Sequence, residues 1–529
     1  MSHILLIAAE NGALPGGKVG GIGDVVHDVP LALAKKQCQV SVVTPSYGRF
    51  HKLPGAKRLQ TLTVNFADYE DSIGLYLLQN DSDDKNVAHY VVDHPLFSPC
   101  GAGKIYCDDP EGRPFATDAS KFALFCTAVS EAVNVAAFGK LDVLHCHDWH
   151  AAFLLILRRY LPRYRSLQKL HCSYTIHNLA LQGIRPFRGD ESSLETWFPT
   201  LIYDAELLGD PRWTDCVNPM AAAIRLADTV HAVSPTYAQE ILRPNNPDIG
   251  QHGGEGLEKD LNDAYHQKRL FGILNGCEYP LQYSASPDWP GLIALMQRNL
   301  DLWISRSKNL ASADFIAFNK LKNPGQKRPK MLLTSVGRIT GQKIALMREA
   351  TSEGKPALHT CLDTLGDYGM LLVIGSGDAN YEQFLCETSV QYNNFIFLRG
   401  YSDEIANAFY QQGDLFFMPS SFEPCGISQM LALRAGQPCL VHRVGGLNDT
   451  IIDNKTGYVF SGDGLTEQAD AMVEGVSRAI RQHQKKSAKW QNMCKAAAAA
   501  RFEWADSIDA YLKQLYKLPS KKTRKAKTL

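Results

Sequence analysis

The sequence has no excess of charge: 55 Lys and Arg balance 55 Asp and Glu. No global field therefore selects nucleic acid or a membrane surface as a partner. No apolar run is long enough to span a bilayer. The 13 cysteines are scattered without a CxxC pair, and neither HExxH nor HxxEH occurs. Those absences remove the usual zinc motifs. GxGxxG and the P-loop are missing as well, which excludes the standard dinucleotide and Walker fingerprints. Met1-Ser2-His3-Ile4-Leu5-Leu6-Ile7 runs straight into a strand, with no signal peptide ahead of it. The expectation is a cytoplasmic protein with reduced thiols.

What is present is an alternation of strands and helices. A chain of 529 residues is too long for one ordinary core and predicts two large domains. In the first half, apolar strands are expected at Ile4–Ala9, Val40–Thr44, before His94, at Val143–Cys146, Ser173–Ile176 and Thr229–Val233. Helices fall between them, among them Val25–Lys36 and Ser120–Ala137. Gly272 to Asn275 reads as a strand leaving this half. The stretches 286–290 and 325–330 punctuate the chain, with mostly helix between 292 and 321. Strands restart at Met331, Leu371, Phe395, Leu415 and Cys439, separated by helices. This is an α/β chain with two doubly wound sheets and a domain change near Asn275. The basic tail 521–527 reads as a solvated terminus.

Polar residues gather where strands end. Leu415–Met418 runs into Pro419-Ser420-Ser421-Phe422-Glu423-Pro424-Cys425-Gly426, and a helix is expected from Ile427 to Ala435. Pro424 biases Glu423 away from helical angles. The carboxylate thus stands at a strand's carboxyl end beside a helix N-terminus, where open α/β sheets bind ligands and anions. A helix-capping Glu in an ordinary loop satisfies the same local signals. Near the N-terminus a strand, Lys18-Val19-Gly20-Gly21-Ile22-Gly23-Asp24 and a helix form the arrangement that brings backbone N–H groups to phosphate. Lys18 adds charge, and Asp24 caps the helix or binds a sugar hydroxyl. His145-Cys146-His147-Asp148-Trp149-His150 ends another strand. It reads as a metal cluster or, preferably, as a strand end placing Asp148 and His150 in a cleft. His177-Asn178 repeats that design and strengthens the shared-pocket reading. Asp81-Ser82-Asp83 resembles a metal-binding DxD, but its polar surroundings favour a surface turn. Tyr106 is a candidate ligand contact. Arg338 and Lys343 put two cations on one loop after a strand; surface salt bridging is the alternative. Gly375-Ser376-Gly377 and Gly445-Gly446 add glycine turns at further strand ends. Two cations and helix N-termini around Glu423 suit a sugar bound through a diphosphate.

These blocks together resemble one family. Lys18 to Val25 is similar to the KTGGLADV signature of bacterial glycogen synthases and plant starch synthases (glycosyltransferase family 5). His147–Ala151, Thr175–Gly183, Val233–Ala238, Leu274–Gly276, Gly337–Lys343, Ser420–Gln429 and Gly445–Thr450 look like its further blocks, in family order and extending to Phe502-Glu503-Trp504. The resemblance implies a GT-B fold, two Rossmann-like domains facing a deep interdomain cleft. Domain 1–275 would lie on the acceptor side and domain 276–501 would bind the nucleotide sugar. A final helix within 502–529 would cross back to the first domain.

It also implies a retaining glucosyltransferase that moves glucose from ADP-glucose to the non-reducing 4-hydroxyl of an α-1,4-glucan such as glycogen. No cofactor or metal would be needed, because Arg338 and Lys343 hold the phosphates. By the same resemblance Glu423 and His177 contact the sugar, and Asp148 and Asn275 line the cleft. Lys18, Gly20, Gly21 and Asp24 face the donor and acceptor. Tyr401 stacks on adenine, while Tyr106, Asn178, Cys425, Gly426, Gly445 and Gly446 complete the substrate contacts. A front-face displacement follows, the leaving phosphate taking the acceptor's proton. UDP-glucose, a small glucoside acceptor, or glucan binding without turnover are the competing readings. Three positions depart from the family pattern: Ile344 stands for Gly, Ala221 for Lys and Asn448 for Ala. The stretch 351–356 reads as a polar insertion. Cys425, beside the pocket, is expected to be sensitive to thiol reagents.

Overall fold

The computed structural model describes residues 1–78, 84–279, 286–307, 311–322, 327–485 and 488–518. Asp81 and Asp83 of the DxD and the basic tail lie outside them. The chain forms two compact units. The first comprises Met1–Asn245, Gly253–Gly276 and the segment that begins at Trp504; the second comprises Asn246–His252 and Cys277–Glu503.

The first unit holds β1 (His3–Ile7), β2 (Gln39–Pro45), β3 (Ala56–Phe66), β4 (Tyr69–Leu78), β5 (Val87–Asp93), β6 (Val143–His147), β7 (His171–Ile176), a small antiparallel pair β8 (Arg185–Pro186) and β9 (Cys216–Val217), β10 (Thr229–Ala232) and β11 (Leu270–Gly272). The sheet order is β11-β10-β7-β6-β1-β2-β5-β4-β3. Seven of these strands run parallel; β3 and β4 add an antiparallel edge. The central parallel strands are buried on both faces, as cover by helices requires; β1 is apolar apart from His3, whereas β6, β7 and β10 carry His145, Thr175 and His231 in the buried interior. The edge hairpin was not foreseen: Ala56–Phe66 alternates polar and apolar residues, with one face exposed.

The second unit holds β12 (Met331–Val336), β13 (Gly369–Gly375), β14 (Phe395–Arg399), β15 (Leu415–Met418), β16 (Cys439–His442) and β17 (Gly457–Phe460). All are parallel, in the order β14-β13-β12-β15-β16-β17. Counted from β12 this is 3-2-1-4-5-6, the Rossmann order. Side chains alternate between two cores. Leu371, Val373, Phe395, Phe397, Leu415 and Phe417 enter one, while Leu372, Ile374, Ile396, Leu398, Phe416 and Met418 enter the other. The expected strands are present, and the sixth, β17, is added by Tyr458 and Phe460 packing with the first core. Asn246–His252 joins this unit through the Gln468 amide donating to the Ile249 carbonyl (2.8 Å) and the His252 ring against Phe422.

The segment from Trp504 is a helix (Trp504–Ala510) followed by one π turn (Tyr511–Leu515). Trp504, Ile508, Tyr511 and Leu515 pack with Ile4, Leu6, Val25, Val29 and Leu33 in the first unit's core. The Trp504 indole N–H donates to Asp28 at 2.9 Å, and Ser507 donates to the Leu274 carbonyl. Among the described residues no helix is long and apolar enough to cross a membrane. Contrary to the all-thiol expectation, Cys100 and Cys107 form a disulfide. The loop between them doubles back, bringing their Cα atoms to 6.0 Å. Because Trp504 is a core residue of a unit whose strands lie hundreds of residues upstream, Trp504→Ala should destabilise that unit by about 3–5 kcal/mol. Denaturant unfolding followed by fluorescence measures this; a loss under about 1 kcal/mol would contradict the core assignment.

Candidate active site

Both sheets reverse strand order at one place, and in such sheets ligands bind outside the carboxyl ends of the strands flanking that place. In the second unit these are β12 and β15. In the first they are β1 and β6.

After β12 comes Gly337-Arg338-Ile339-Thr340 and the helix Gly341–Arg348, which carries Lys343. After β15 comes Pro419 to Gly426. The Lys343 ammonium is ion-paired with the Glu423 carboxylate, and the Ser420 hydroxyl donates to the same carboxylate oxygen at 3.3 Å. Glu423 is buried. A buried carboxylate needs such partners, since removing either charge of a buried pair leaves the other uncompensated. Arg338 is exposed, and among the described residues it has no carboxylate partner. Salt bridging therefore accounts for Lys343 and not for Arg338. A small pocket is lined by Gly337, Arg338, Lys343, Met418, Pro419 and Ser420. Positive charge and a helix start thus surround one carboxylate.

The glycines of this unit are explained by the chain itself. A Cβ on Gly445 (φ +40°) would sit 1.9 Å from the Glu423 carbonyl oxygen, and one on Gly446 would sit 2.2 Å from that of Cys425. Gly446 N–H donates to the Glu423 carbonyl at 3.1 Å. The paired glycines let the Glu423–Cys425 backbone lie against the helix Gly445–Thr450. Gly377 likewise lies against the Ile339 carbonyl. Gly426 turns the chain ahead of the helix Ser428–Arg434, its position crowded by the Gln429 side chain. Cys425 is 4% exposed, so the thiol expected to meet reagents is packed inside. Tyr401 is exposed after β14 and its hydroxyl donates to Asp403 at 2.8 Å. Ile344 belongs to the core, and Asn448 accepts from Arg443.

In the first unit the glycine-rich loop differs from the expected phosphate cradle. Three of its N–H groups are already taken. Glu10, just after β1 and 2% exposed, accepts from Val19 N–H (2.8 Å), Gly20 N–H (2.7 Å) and Gly23 N–H (3.3 Å) through one oxygen. Its other oxygen accepts the Tyr106 hydroxyl at 2.8 Å. Glu10 was not foreseen: it carries no local motif, and only its position one loop before the glycines hints at a role. Gly21 begins the helix Gly21–Lys35 with open space above its Cα. Asp24 does not cap that helix; it pairs with Lys18 at 2.6 Å.

Asp148 begins the helix Asp148–Tyr160 after β6 with a left-handed backbone (φ +54°). Its carboxylate accepts the His177 backbone N–H at 2.7 Å, tying the ends of β6 and β7 together. Burial pushes its carboxyl up to about 8. The His177 ring meets His147 at 3.0 Å. Asn178 accepts from Ala180 N–H. His150 is buried against Tyr106, Phe122 and Trp149 rather than facing a cleft. Asn275 is buried after β11, its side-chain oxygen without a partner among the described residues. Ala221 is buried in the helix Pro219–Leu226. Among the described residues no three His, Cys, Asp or Glu side chains gather as a metal-binding group. The first unit thus brings Lys18, the loop, Tyr106, Asp148, His177 and Asn178 to the same sheet edge. The second unit does so for Arg338, Lys343, Glu423, Cys425 and the glycines. Tyr401 stands apart on a neighbouring strand end.

The family model of the starch synthase catalytic domain matches residues 3–263, and that of glycosyl transferases group 1 matches residues 322–497. The chain is 30% identical over 522 residues to a glycogen synthase of Lactobacillus acidophilus, covering 96% of this chain and 98% of that one. It is 29% identical to one of Desulfitobacterium hafniense, covering 93% and 95%. The catalytic domain of starch synthase IV from Arabidopsis thaliana, bound to ADP and acarbose, superposes with a TM-score of 0.73 at 24% identity, covering 98% of each chain. A sucrose-phosphate synthase of Thermosynechococcus elongatus shares the fold at 0.54. Two Rossmann-type sheets with this strand order, under these family models, define a glycosyltransferase of GT-B fold. Within that class the chain belongs to the glycogen synthase family.

Asp148 sets a pH dependence. Its folded value, about 8, lies above the unfolded 3.8. The contribution is therefore fully present below about pH 4 and is lost as pH rises through 8. Asp148→Asn keeps an acceptor for His177 N–H and cannot ionise. It should match the wild type at pH 4 and exceed it by at least about 2 kcal/mol at pH 8. Denaturation midpoints from pH 4 to 9 measure the difference; parallel profiles would contradict it.

Proposed function

We propose that this chain transfers glucose from ADP-glucose to the non-reducing 4-hydroxyl of an α-1,4-glucan, with retention of configuration. The observation that carries the reading is the charge arrangement at the β12–β15 reversal. Lys343 is held by Glu423, and Arg338 has no carboxylate partner among the described residues. A diphosphate is the ligand that such a site lacks. Arg338 and Lys343 neutralise charge as it grows on the leaving diphosphate, so no metal ion is required. Glu423 then takes sugar hydroxyls in place of part of its contact with Lys343. Tyr401 stacks on the adenine.

In the first unit, Lys18 and Gly21 serve the donor. Glu10 and Tyr106 hold the loop in place. Asp148, protonated at neutral pH, fixes the His177 backbone and offers an O–H in place of a charge. The acceptor attacks from the face the diphosphate leaves, and the departing phosphate takes its proton. The relatives' names and the ADP-bound starch synthase support the donor and acceptor classes.

The test is incorporation of labelled glucose into glycogen from ADP-glucose and from UDP-glucose. Arg338→Ala is expected to lower kcat/KM with ADP-glucose about 100-fold or more. Preference for UDP-glucose would overturn the donor assignment, and unchanged turnover by Arg338→Ala would overturn the site.

A further inference from the structure

A chain of buried and half-buried histidines runs through the first unit along β6, β7 and β10, and their hydrogen bonds constrain which ring nitrogen carries each proton. Burial pushes His145, His147, His177 and His231 below the ordinary histidine value. Each is therefore neutral near pH 7, with one donor and one acceptor nitrogen. His231 Nε2 faces the Ile273 carbonyl at 3.0 Å, which can only accept. Nε2 thus carries the proton, and Nδ1 accepts from the Thr175 hydroxyl at 3.0 Å, the Tyr511 hydroxyl lying farther off at 3.5 Å. Thr175, its proton given, accepts from His145 Nε2 at 2.6 Å. His145 Nδ1 then accepts the Tyr516 hydroxyl at 2.8 Å.

His147 lies against His145, ring centroids 4.2 Å apart. Its one hydrogen bond among the described residues joins Nδ1 to His177 Nε2 at 3.0 Å. His147 Nε2 is buried without a partner among the described residues. A buried N–H with no acceptor is the rarer and costlier orphan, so the unpartnered nitrogen is the bare lone pair. The proton belongs on Nδ1, which donates to His177 Nε2. His177, half-buried at the end of β7, is left with its proton on Nδ1. That nitrogen has no protein partner among the described residues.

We propose that His147 is a positioning residue. It holds His177 in the Nδ1–H form, so His177 meets substrate oxygen as a neutral hydrogen-bond donor and not as a base. The proposal rests on the glucosyl-transfer reading for what His177 meets, but not for the tautomer. The His177 lone pair is turned inward to His147, which removes the ring as an acceptor of the substrate's proton. This agrees with a reaction in which the leaving phosphate takes it.

The test pairs His147→Asn, whose amide N–H stands near the place of Nδ1–H, with His147→Leu, which has no donor. Long-range 15N–1H spectra of histidine-labelled protein read the His177 tautomer, and glucose incorporation reads turnover. Expected are Nδ1–H at His177 in the wild type and in the Asn variant, and loss of that preference in the Leu variant. The Leu variant should lose about tenfold in kcat, the worth of one neutral hydrogen bond, with KM for the donor changed less and the Asn variant restoring most of the rate. An Nε2–H tautomer at His177 in the wild type overturns the proposal whether or not the Leu variant folds. So does a folded Leu variant with full kcat. A tautomer that follows residue 147 in a protein without glucose incorporation sustains the positioning role and overturns only the glucosyl-transfer reading.

Discussion

A parallel sheet whose strand order reverses must leave a gap at the carboxyl ends of the two strands beside the reversal, because their outgoing connections diverge to opposite sides. That constraint places the candidate site residues of both units. In each, a buried carboxylate stands beside the gap: Glu10 after β1 and Glu423 after β15. Glu10 is satisfied by three backbone N–H groups and a tyrosine hydroxyl. Glu423 is satisfied by an ammonium and a serine. The first arrangement is a fixed frame, since backbone donors have nowhere else to go. The second can exchange partners, since Lys343 is a flexible cation with three donors.

The first unit's polar interior has the same logic. His145, His231, Thr175 and Tyr516 satisfy one another beneath the sheet's functional edge. Tyr516 belongs to the chain's last described segment, whose packing in the first core is apolar and aromatic. The segment that closes the core therefore also completes the hydrogen bonds of His145, the ring on which His147 rests.

Much of this was legible in the sequence. Continuous apolar runs, many ending in polar clusters, located most of the parallel strands, and Pro424 with Gly426 placed Glu423 at a strand end. What was not legible depended on partners distant in the chain or lacking local pattern. Gly20, Gly23, Gly445 and Gly446 read as surfaces for phosphate, but the approaching groups are Glu10 and the Glu423–Cys425 backbone. A glycine records that something comes close, not what it is. The edge hairpin β3–β4 alternates polar and apolar residues in a weak pattern. The excursion Asn246–His252 into the second unit is too short and polar to announce itself. The Cys100–Cys107 disulfide follows from a loop turn that spacing alone does not specify.

The proposed glucosyl transfer requires a diphosphate site at the β12–β15 reversal, its cation held in readiness by Glu423. A crystal structure of the protein with ADP tests it most directly. Phosphate oxygens are expected within hydrogen-bond distance of both the Arg338 guanidinium and the Lys343 ammonium, with the Lys343–Glu423 contact lengthened or shared. A diphosphate bound elsewhere, with that ion pair intact and Arg338 in solvent, would contradict it.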